Sequence, residues 1–369
     1  MIAVIIFIII LSILVMIHEF GHFIMAKRAG IGVEEFGFGL PPRLWGKKIG
    51  ETIYSLNWLP FGGFVRLVGE DPTDKKRDAK NSFYTKSLWQ RSSVVLAGVF
   101  MNLMLAVVIF YVVVFALGFK VNLPMLAEHK FRFVNQSTEV LIADFAANSP
   151  AKAAGLSEGD SIIAVNGAKI TKIAELQAVT RSSENKPLKL TVENPINNKT
   201  RDVMVTPTYR EELKGSALGI GLGELIVLSY ETLPQKVFAG FIHSYNTIDY
   251  SLQVFGQLIA YSIAHHDITP VSEGVSGPIG IAKITSQAVQ LGPLSVLQLM
   301  GLLSLNLAVL NILPIPALDG GRFFFLLFEA VTRRKVYPTL EKWVHTIGFA
   351  VLIGLIVLIT YNDVLKLIK

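Results

Sequence analysis

The chain has no cysteine among its 369 residues. A disulfide framework and a thiolate metal site are therefore both excluded, and any metal must be held by His, Asp, Glu or Asn. Charge is scarce as well, at 17%, against 51% hydrophobic residues and a mean hydropathy of +0.50. That composition excludes an ordinary soluble domain and describes a membrane protein. There is no separate basic domain to go with the net charge of +6 and the isoelectric point near 9.3. The Lys and Arg residues cluster beside apolar spans, which excludes nucleic acid as a partner and points to membrane topology. The N-terminal apolar run has neither a basic segment before it nor a small-residue cleavage signal, so it is read as retained, with Met1 as the start of the mature chain. Low-complexity tracts and internal repeats are absent too.

Four stretches are long and apolar enough to cross a bilayer, since about 20 residues at 1.5 Å rise span roughly 30 Å of hydrocarbon. They fall near residues 1–26, 94–118, 296–318 and 344–361. Asn306, Asn311, Pro314, Pro316 and Asp319 interrupt the third. Prolines there free backbone groups that must find partners within protein, so this span is expected to unwind near its end. Arg43, Lys47, Lys48, Arg66, Lys75, Lys76, Arg77, Lys80, Lys86 and Arg91 lie between spans one and two, and Arg333, Arg334, Lys335 and Lys342 between spans three and four. The positive-inside rule puts both loops in the cytoplasm and both termini and the middle region outside, with Lys366 and Lys369 of the tail a minor opposing term.

Within the first loop, Gly32, Gly37, Gly39, Pro41 and Pro42 precede two β-type runs, Thr52 to Trp58 and Phe64 to Val68, joined by Leu59-Pro60-Phe61-Gly62-Gly63. Residues 31–69 are thus expected to form a β-hairpin that dips into the membrane and offers an edge to an extended peptide. From about 126 to 210 the composition turns soluble, with strand-like runs at Glu139 to Ile142, Ser161 to Val165, Leu188 to Val192 and Asp202 to Val205. Ser149-Pro150-Ala151-Lys152-Ala153-Ala154-Gly155-Leu156, Glu158-Gly159-Asp160 and Val165-Asn166-Gly167 resemble the core of a bacterial PDZ domain, present in one copy. Residues 211–293 are expected to be amphipathic linker helices at the outer membrane interface, with Phe238, Phe241, Tyr245, Tyr250, Phe255 and Tyr261 along 230–265.

The chemistry is carried by His18, Glu19 and His22, which spell H-E-x-x-H inside the first span. On a helix, residues i and i+4 share a face, so both imidazoles can turn toward one Zn²⁺ with Glu19 beside its water. Burying a Glu and two His at membrane depth costs several kcal/mol without such a partner. A catalytic zinc usually has three protein ligands, and Asp319, after the proline-broken Asn311-Ile312-Leu313-Pro314-Ile315-Pro316, is the candidate third. Taken alone, Asp319 before Gly320-Gly321 also reads as a helix cap or turn residue. Asn102 is read as packing between helices, and His243, His265, His266 and His345 as surface or interfacial residues without ligand spacing.

The whole set, H-E-x-x-H in span one and N-x-x-P-x-P-x-L-D-G in span three, resembles the site-2 protease family of intramembrane zinc metalloproteases. Its bacterial regulator-of-sigma-E branch also carries an extracytoplasmic PDZ insertion. Pro60-Phe61-Gly62-Gly63-Phe64, Ala97-Gly98-x-x-x-Asn102 and Ser276-Gly277-Pro278-Ile279-Gly280 extend the resemblance over nearly the whole chain. Val99 stands where relatives often have proline, and one PDZ unit where some have two. The resemblance implies a polytopic α-helical protein with four transmembrane helices, a membrane-associated β-hairpin and an inserted extracytoplasmic α+β PDZ domain. Its parts are an N-terminal membrane core (1–118), the PDZ domain (126–210), the linker (211–293) and a C-terminal membrane core (294–369).

The resemblance further implies one Zn²⁺ per chain on His18, His22 and Asp319, with Glu19 as general base. Asn311, Pro314, Pro316, Gly62 and Gly63 are the expected substrate contacts. The activity implied is cleavage of single-span membrane proteins, of anti-sigma-factor or signal-peptide-remnant type, in regulated intramembrane proteolysis at the bacterial inner membrane. The PDZ domain would bind a peptide or filter substrates by size. Two other readings remain at this point: a catalytically silent PDZ-bearing scaffold, and a metal transporter.

Overall fold

The computed structural model describes residues 2–71, 75–194, 199–211 and 214–368. Met1, read above as the mature start, and Lys369, counted in the basic tail, lie outside the described residues. The chain divides into two compact units, residues 1–113 with 243–369, and residues 114–242.

The first unit opens with helix α1 (Ile2–Arg28). Strands β1 (Val33–Ile49) and β2 (Thr52–Leu67) follow, then α2 (Leu88–Ala116). The α2 helix starts six residues before the expected span, because Ser87 and Gln90 form a reciprocal cap: Gln90 N–H donates to Ser87 Oγ at 3.3 Å and Ser87 N–H to Gln90 Oε1 at 3.2 Å.

The glycine-rich segment differs from the expected hairpin. Thr52–Trp58 and Phe64–Val68 do not pair with each other. Instead the start of β1 enters between them, so that Phe36 lies opposite Tyr54 on one side and Val65 on the other, and Phe38 opposite Leu56 and Gly63. The tight turn falls at Gly50-Glu51, where Ile49 faces Thr52 and Gly50 has φ +61°, a left-handed conformation suited to glycine. Gly37 and Gly39 mask β1 in the sequence, although residues 33–39 alternate strictly between buried and half-buried. Arg43 holds the buried Glu35 through Nε at 3.0 Å and Nη2 at 2.6 Å. Burial alone would raise the Glu35 carboxyl, but the Arg43 hydrogen bonds and the charges of Arg43 and Arg66 outweigh it and hold the carboxyl below its ordinary range.

The second unit is β-rich. Its elements in chain order are β3 (Lys120–Pro124), β4 (Asn135–Phe145), α3 (Pro150–Ala153), β5 (Ser161–Val165), β6 (Ala168–Lys169), α4 (Ile173–Ser182), β7 (Leu188–Asn194), β8 (Lys199–Val205), β9 (Thr208–Arg210), β10 (Gly215–Ala217), β11 (Ile220–Ser229) and α5 (Leu233–Val237). The four strand-like runs read from sequence fall in β4, β5, β7 and β8. The main sheet runs β3-β11-β4-β5-β7-β8, with β6 on β5. It therefore takes in strands on both sides of 126–210, and residues 215–229, assigned above to linker helices, are strands. The physical reason is pairing: β11 bonds to β4 along its whole length and to β3 with its second half, which satisfies backbone groups that an isolated helix could not share. Val140, Ile142, Ile162, Leu176, Leu190 and Val192 centre the core.

Returning to the first unit, α6 (Ala239–His265), α7 (Thr269–Gly274), α8 (Pro278–Leu291) and α9 (Pro293–Ile312) lead to a break, followed by α10 (Asp319–Thr332) and α11 (Pro338–Ile368). Four of these helices, α1, α2, α9 and α11, are long and apolar enough to cross a membrane. Large side chains such as Ile5, Ile9, Phe100, Phe115, Val357 and Leu358 stay exposed on them, where the solvent would be lipid. The carboxylate of Asp363 on α11 accepts the Gly280 N–H at 2.8 Å, which explains the Ser276–Gly280 motif: a Cβ at Gly277 or Gly280 would crowd Asp363. The core around the site joins α1, β1, β2, α2 and α10 through Ala26, Ile31, Leu67, Phe83, Val95 and Leu326.

Candidate metal centre

An unbroken α1 presents His18 and His22 four residues apart, and their Nε2 atoms lie 3.1 Å from each other. Asp319, first residue of α10, brings Oδ2 to 3.0 Å from His18 Nε2 and 3.3 Å from His22 Nε2. Among the described residues these three form the one cluster of His and carboxylate groups close enough to share an ion.

His22 Nδ1 lies 2.8 Å from the Val94 carbonyl, which can only accept, so the ring proton belongs on Nδ1 and Nε2 offers a lone pair. The Asn102 amide lies 3.4 Å from His18 Nδ1. Turning that amide over gives Nδ1–H a bond to Oδ1, an atom otherwise buried without a partner. His18 then also offers a lone pair at Nε2. Asp319 Oδ2 is buried with no donor. Three acceptors facing one another at 3.0–3.3 Å repel unless a cation sits among them. Ligands at tetrahedral corners around zinc stand about 3.3 Å apart for bonds of ~2.0–2.1 Å, so the donor set of two imidazoles and a carboxylate fits zinc with one corner open.

Glycines bring the backbone this close. A Cβ on Gly98 would lie 2.5 Å from His22 Nε2 and 2.6 Å from His18 Cε1, and one on Gly21 would collide with the Ala97 carbonyl. Only bare backbone lets α2 meet α1 here. On the other side, α9 stops at Ile312 and residues 313–318 form a non-helical turn. Cβ atoms on Gly320 and Gly321 would strike the carbonyls of Leu313 and Ile315. Ala317 takes the left-handed conformation, φ +73°, and its N–H donates to His345 Nδ1 at 2.9 Å.

Glu19 shares a cavity of about 270 Å³ with the three candidate ligands, Arg322 and His345. Its Oε2 accepts the Val65 N–H of β2 at 3.0 Å. Arg322, one turn beyond Asp319 on α10, pairs with Glu70. His18, Glu19, His22 and Asp319 are therefore brought together. Asn311, Pro314, Pro316, Gly62 and Gly63 do not line this cavity. Gly62, at φ +76°, bends β2, and Gly63 packs within 2.5 Å of the Met16 Sδ position had it a Cβ, so both set residues 63–67 against α1. Asn102, fully buried, does sit between helices as expected: its carbonyl also accepts Ser304 Oγ–H at 2.8 Å.

Two histidines are not surface residues as read from sequence. His243 is buried against Phe110, and His345 lines the cavity. Arg322, Glu70 and His345 went unrecognised; the i, i+3 spacing of Asp319 and Arg322 is the signal that marks Arg322. His345 has none, since it reaches the site from α11 through the turn at Ala317.

A His-His-Asp cluster beside a glutamate, its histidines on a helix apolar enough to span a membrane, defines a metallohydrolase class. The chain matches Peptidase family M50 over residues 6–355, and it belongs to that family. It is thus a metallopeptidase, and relatives from Clostridium perfringens and Geobacillus kaustophilus carry zinc metalloprotease in their names. A Clostridium perfringens protein is 34% identical over 96% of each chain. The zinc metalloprotease RasP of Geobacillus kaustophilus is 28% identical over 98% of this chain and 97% of its own, and the regulator of sigma-W protease RasP of Bacillus subtilis 28% over 99% and 98%. Among solved structures, the PDZ domain of an SdrC-like protein from Listeria monocytogenes is similar at 16% identity, covering 26% of this chain and 93% of that domain, with a TM-score of 0.21.

Proposed function

We propose that this M50 peptidase cleaves single-span membrane proteins within their membrane segments, using one zinc ion held by His18, His22 and Asp319. The observation that carries the reading is the convergence of three acceptor atoms at 3.0–3.3 Å beside Glu19. Zinc bound there supplies Lewis acidity, acidifying a water and polarising a carbonyl. Glu19 is the general base. Val65 N–H fixes its Oε2, which leaves Oε1 to take the proton from the attacking water and return it to the leaving nitrogen.

A transmembrane helix shields its carbonyls, so the substrate must unwind locally. Residues 63–67 of β2 lie against α1 beside Glu19, and Gly62, Gly63, Asn311, Pro314 and Pro316 are the proposed contacts that hold the unwound strand from either side. The ion pair Arg91–Glu329, with N–O distances of 3.0 and 2.7 Å, and the Tyr84 hydroxyl donating to Glu341 at 2.7 Å tie the start of α2 and the segment before it to the end of α10 and the start of α11. This supports one cytoplasmic side for both, with the termini and residues 114–242 outside a bacterial inner membrane. The β-rich unit is the PDZ domain of this reading. It holds a cavity of about 410 Å³ with Arg181 and Arg210 in its wall, suited to a peptide carboxylate or to sorting substrates by size. Substrates of anti-sigma-factor or signal-peptide-remnant type are those the family resemblance implies, and the name of the Bacillus relative, regulator of sigma-W protease, is in keeping with the first.

The test is cleavage of a reconstituted single-span substrate. Glu19→Gln should abolish it while zinc content stays at one per chain; retained cleavage refutes the role of Glu19.

A further inference from the structure

His345 has no part in the zinc set, yet it offers what the cavity otherwise lacks, a neutral donor. Its Nδ1 accepts the Ala317 N–H at 2.9 Å, so in the neutral ring the proton resides on Nε2. That Nε2 is buried without a partner, in a ring that lines the cavity shared by Glu19 and Asp319 and packs against Phe325 at 5.6 Å between centroids. A buried N–H with nothing to bond is destabilising. Such a group is retained where an acceptor arrives later.

We infer that His345 Nε2–H donates a hydrogen bond to the oxygen of the scissile peptide carbonyl as charge builds on it. This rests on the proposed peptidase reading. Asn311, an expected substrate contact, does not line the cavity, and the Arg322 guanidinium is engaged by Glu70. His345 is therefore a catalytic residue of the reaction. Its two nitrogens have separable duties: Nδ1 holds the left-handed turn at Ala317, and Nε2, without a partner in the protein, is the donor kept for substrate.

The two duties can be tested apart, because an asparagine amide reaches the Nδ1 position and a glutamine amide the Nε2 position. His345→Gln keeps a donor in the cavity, and His345→Asn keeps a partner for Ala317 without one. In the full-length protein, reconstituted with a single-span substrate, His345→Gln should retain kcat within about fivefold. His345→Asn should lose ~10²-fold in kcat, the scale of one missing oxyanion donor. KM should change little in either, since the bond strengthens only in the transition state. Zinc content and the binding of uncut substrate in a Glu19→Gln background should match between the two variants. The inference is overturned if His345→Asn is at least as active as His345→Gln. Loss of cleavage by the unaltered protein would instead count against the peptidase reading itself.

Discussion

The two halves of the candidate metal centre are built in opposite ways. His18 and His22 stand on a straight helix, where the 3.6-residue repeat alone aligns them. Asp319 stands on a broken one, positioned by a six-residue turn that depends on Ala317 in a left-handed conformation, on His345, and on two glycines packed against the carbonyls of Leu313 and Ile315. The helical half needs only that nothing intrude on it. The broken half must be actively held, so its failures should be graded, whereas a steric intrusion on the helical half should be abrupt.

Substitutions in each half can break this contrast. The largest effect is expected from Gly98→Val, which drives side-chain carbons into both imidazoles: zinc content should fall to background, and a variant that still holds one zinc per chain would show that α2 can retreat from α1. Gly320→Ala should come next. It displaces Asp319 but leaves the histidine pair intact, so zinc affinity should fall ~10–100-fold, comparable with losing a residue that supports a ligand; total loss of metal would make the two halves equally brittle. Asn102→Ala, which frees the His18 ring, should weaken zinc binding within the same range or less, read by competition with a chelator.

Two further substitutions test the fold away from the metal, read as stability rather than as zinc binding. Arg91, only 3% exposed, pairs with Glu329 at 14%. Arg91→Leu strands a buried carboxylate and should destabilise by about 3–5 kcal/mol, while the double change Arg91→Leu with Glu329→Leu should recover most of that. Thermal unfolding in detergent distinguishes them, and a double variant as unstable as the single would contradict it. Asp363→Asn, which removes the charge bonded to the start of α8, should cost about 1 kcal/mol, seen as a small drop in the same midpoint.

This asymmetry also governs what could be read in advance. The H-E-x-x-H spacing needs no knowledge of the rest of the fold, and the four apolar spans are a matter of length and composition. The strand at Val33–Ile49 was hidden by Gly37, Gly39 and the proline pair, which signal a loop locally and are overruled by pairing on both sides of the strand. The strand at Ile220–Ser229 escapes a local reading because its partner β4 lies far upstream, Ile220 facing Phe145 and Ser229 facing Asn135. His345 was unreadable for a related reason: its place in the cavity is set by a contact with Ala317 across 28 residues, and no periodicity records it. Even the lesson of Asn102 is mixed, since its burial between helices was legible but its contact with His18 was not.

Anomalous diffraction at the zinc edge from the purified protein bears most directly on the centre. One peak is expected, within about 2.0–2.2 Å of His18 Nε2, His22 Nε2 and Asp319 Oδ2 together. A peak held by the histidines with the Asp319 carboxylate beyond bonding distance, or no peak among the three, would contradict the account.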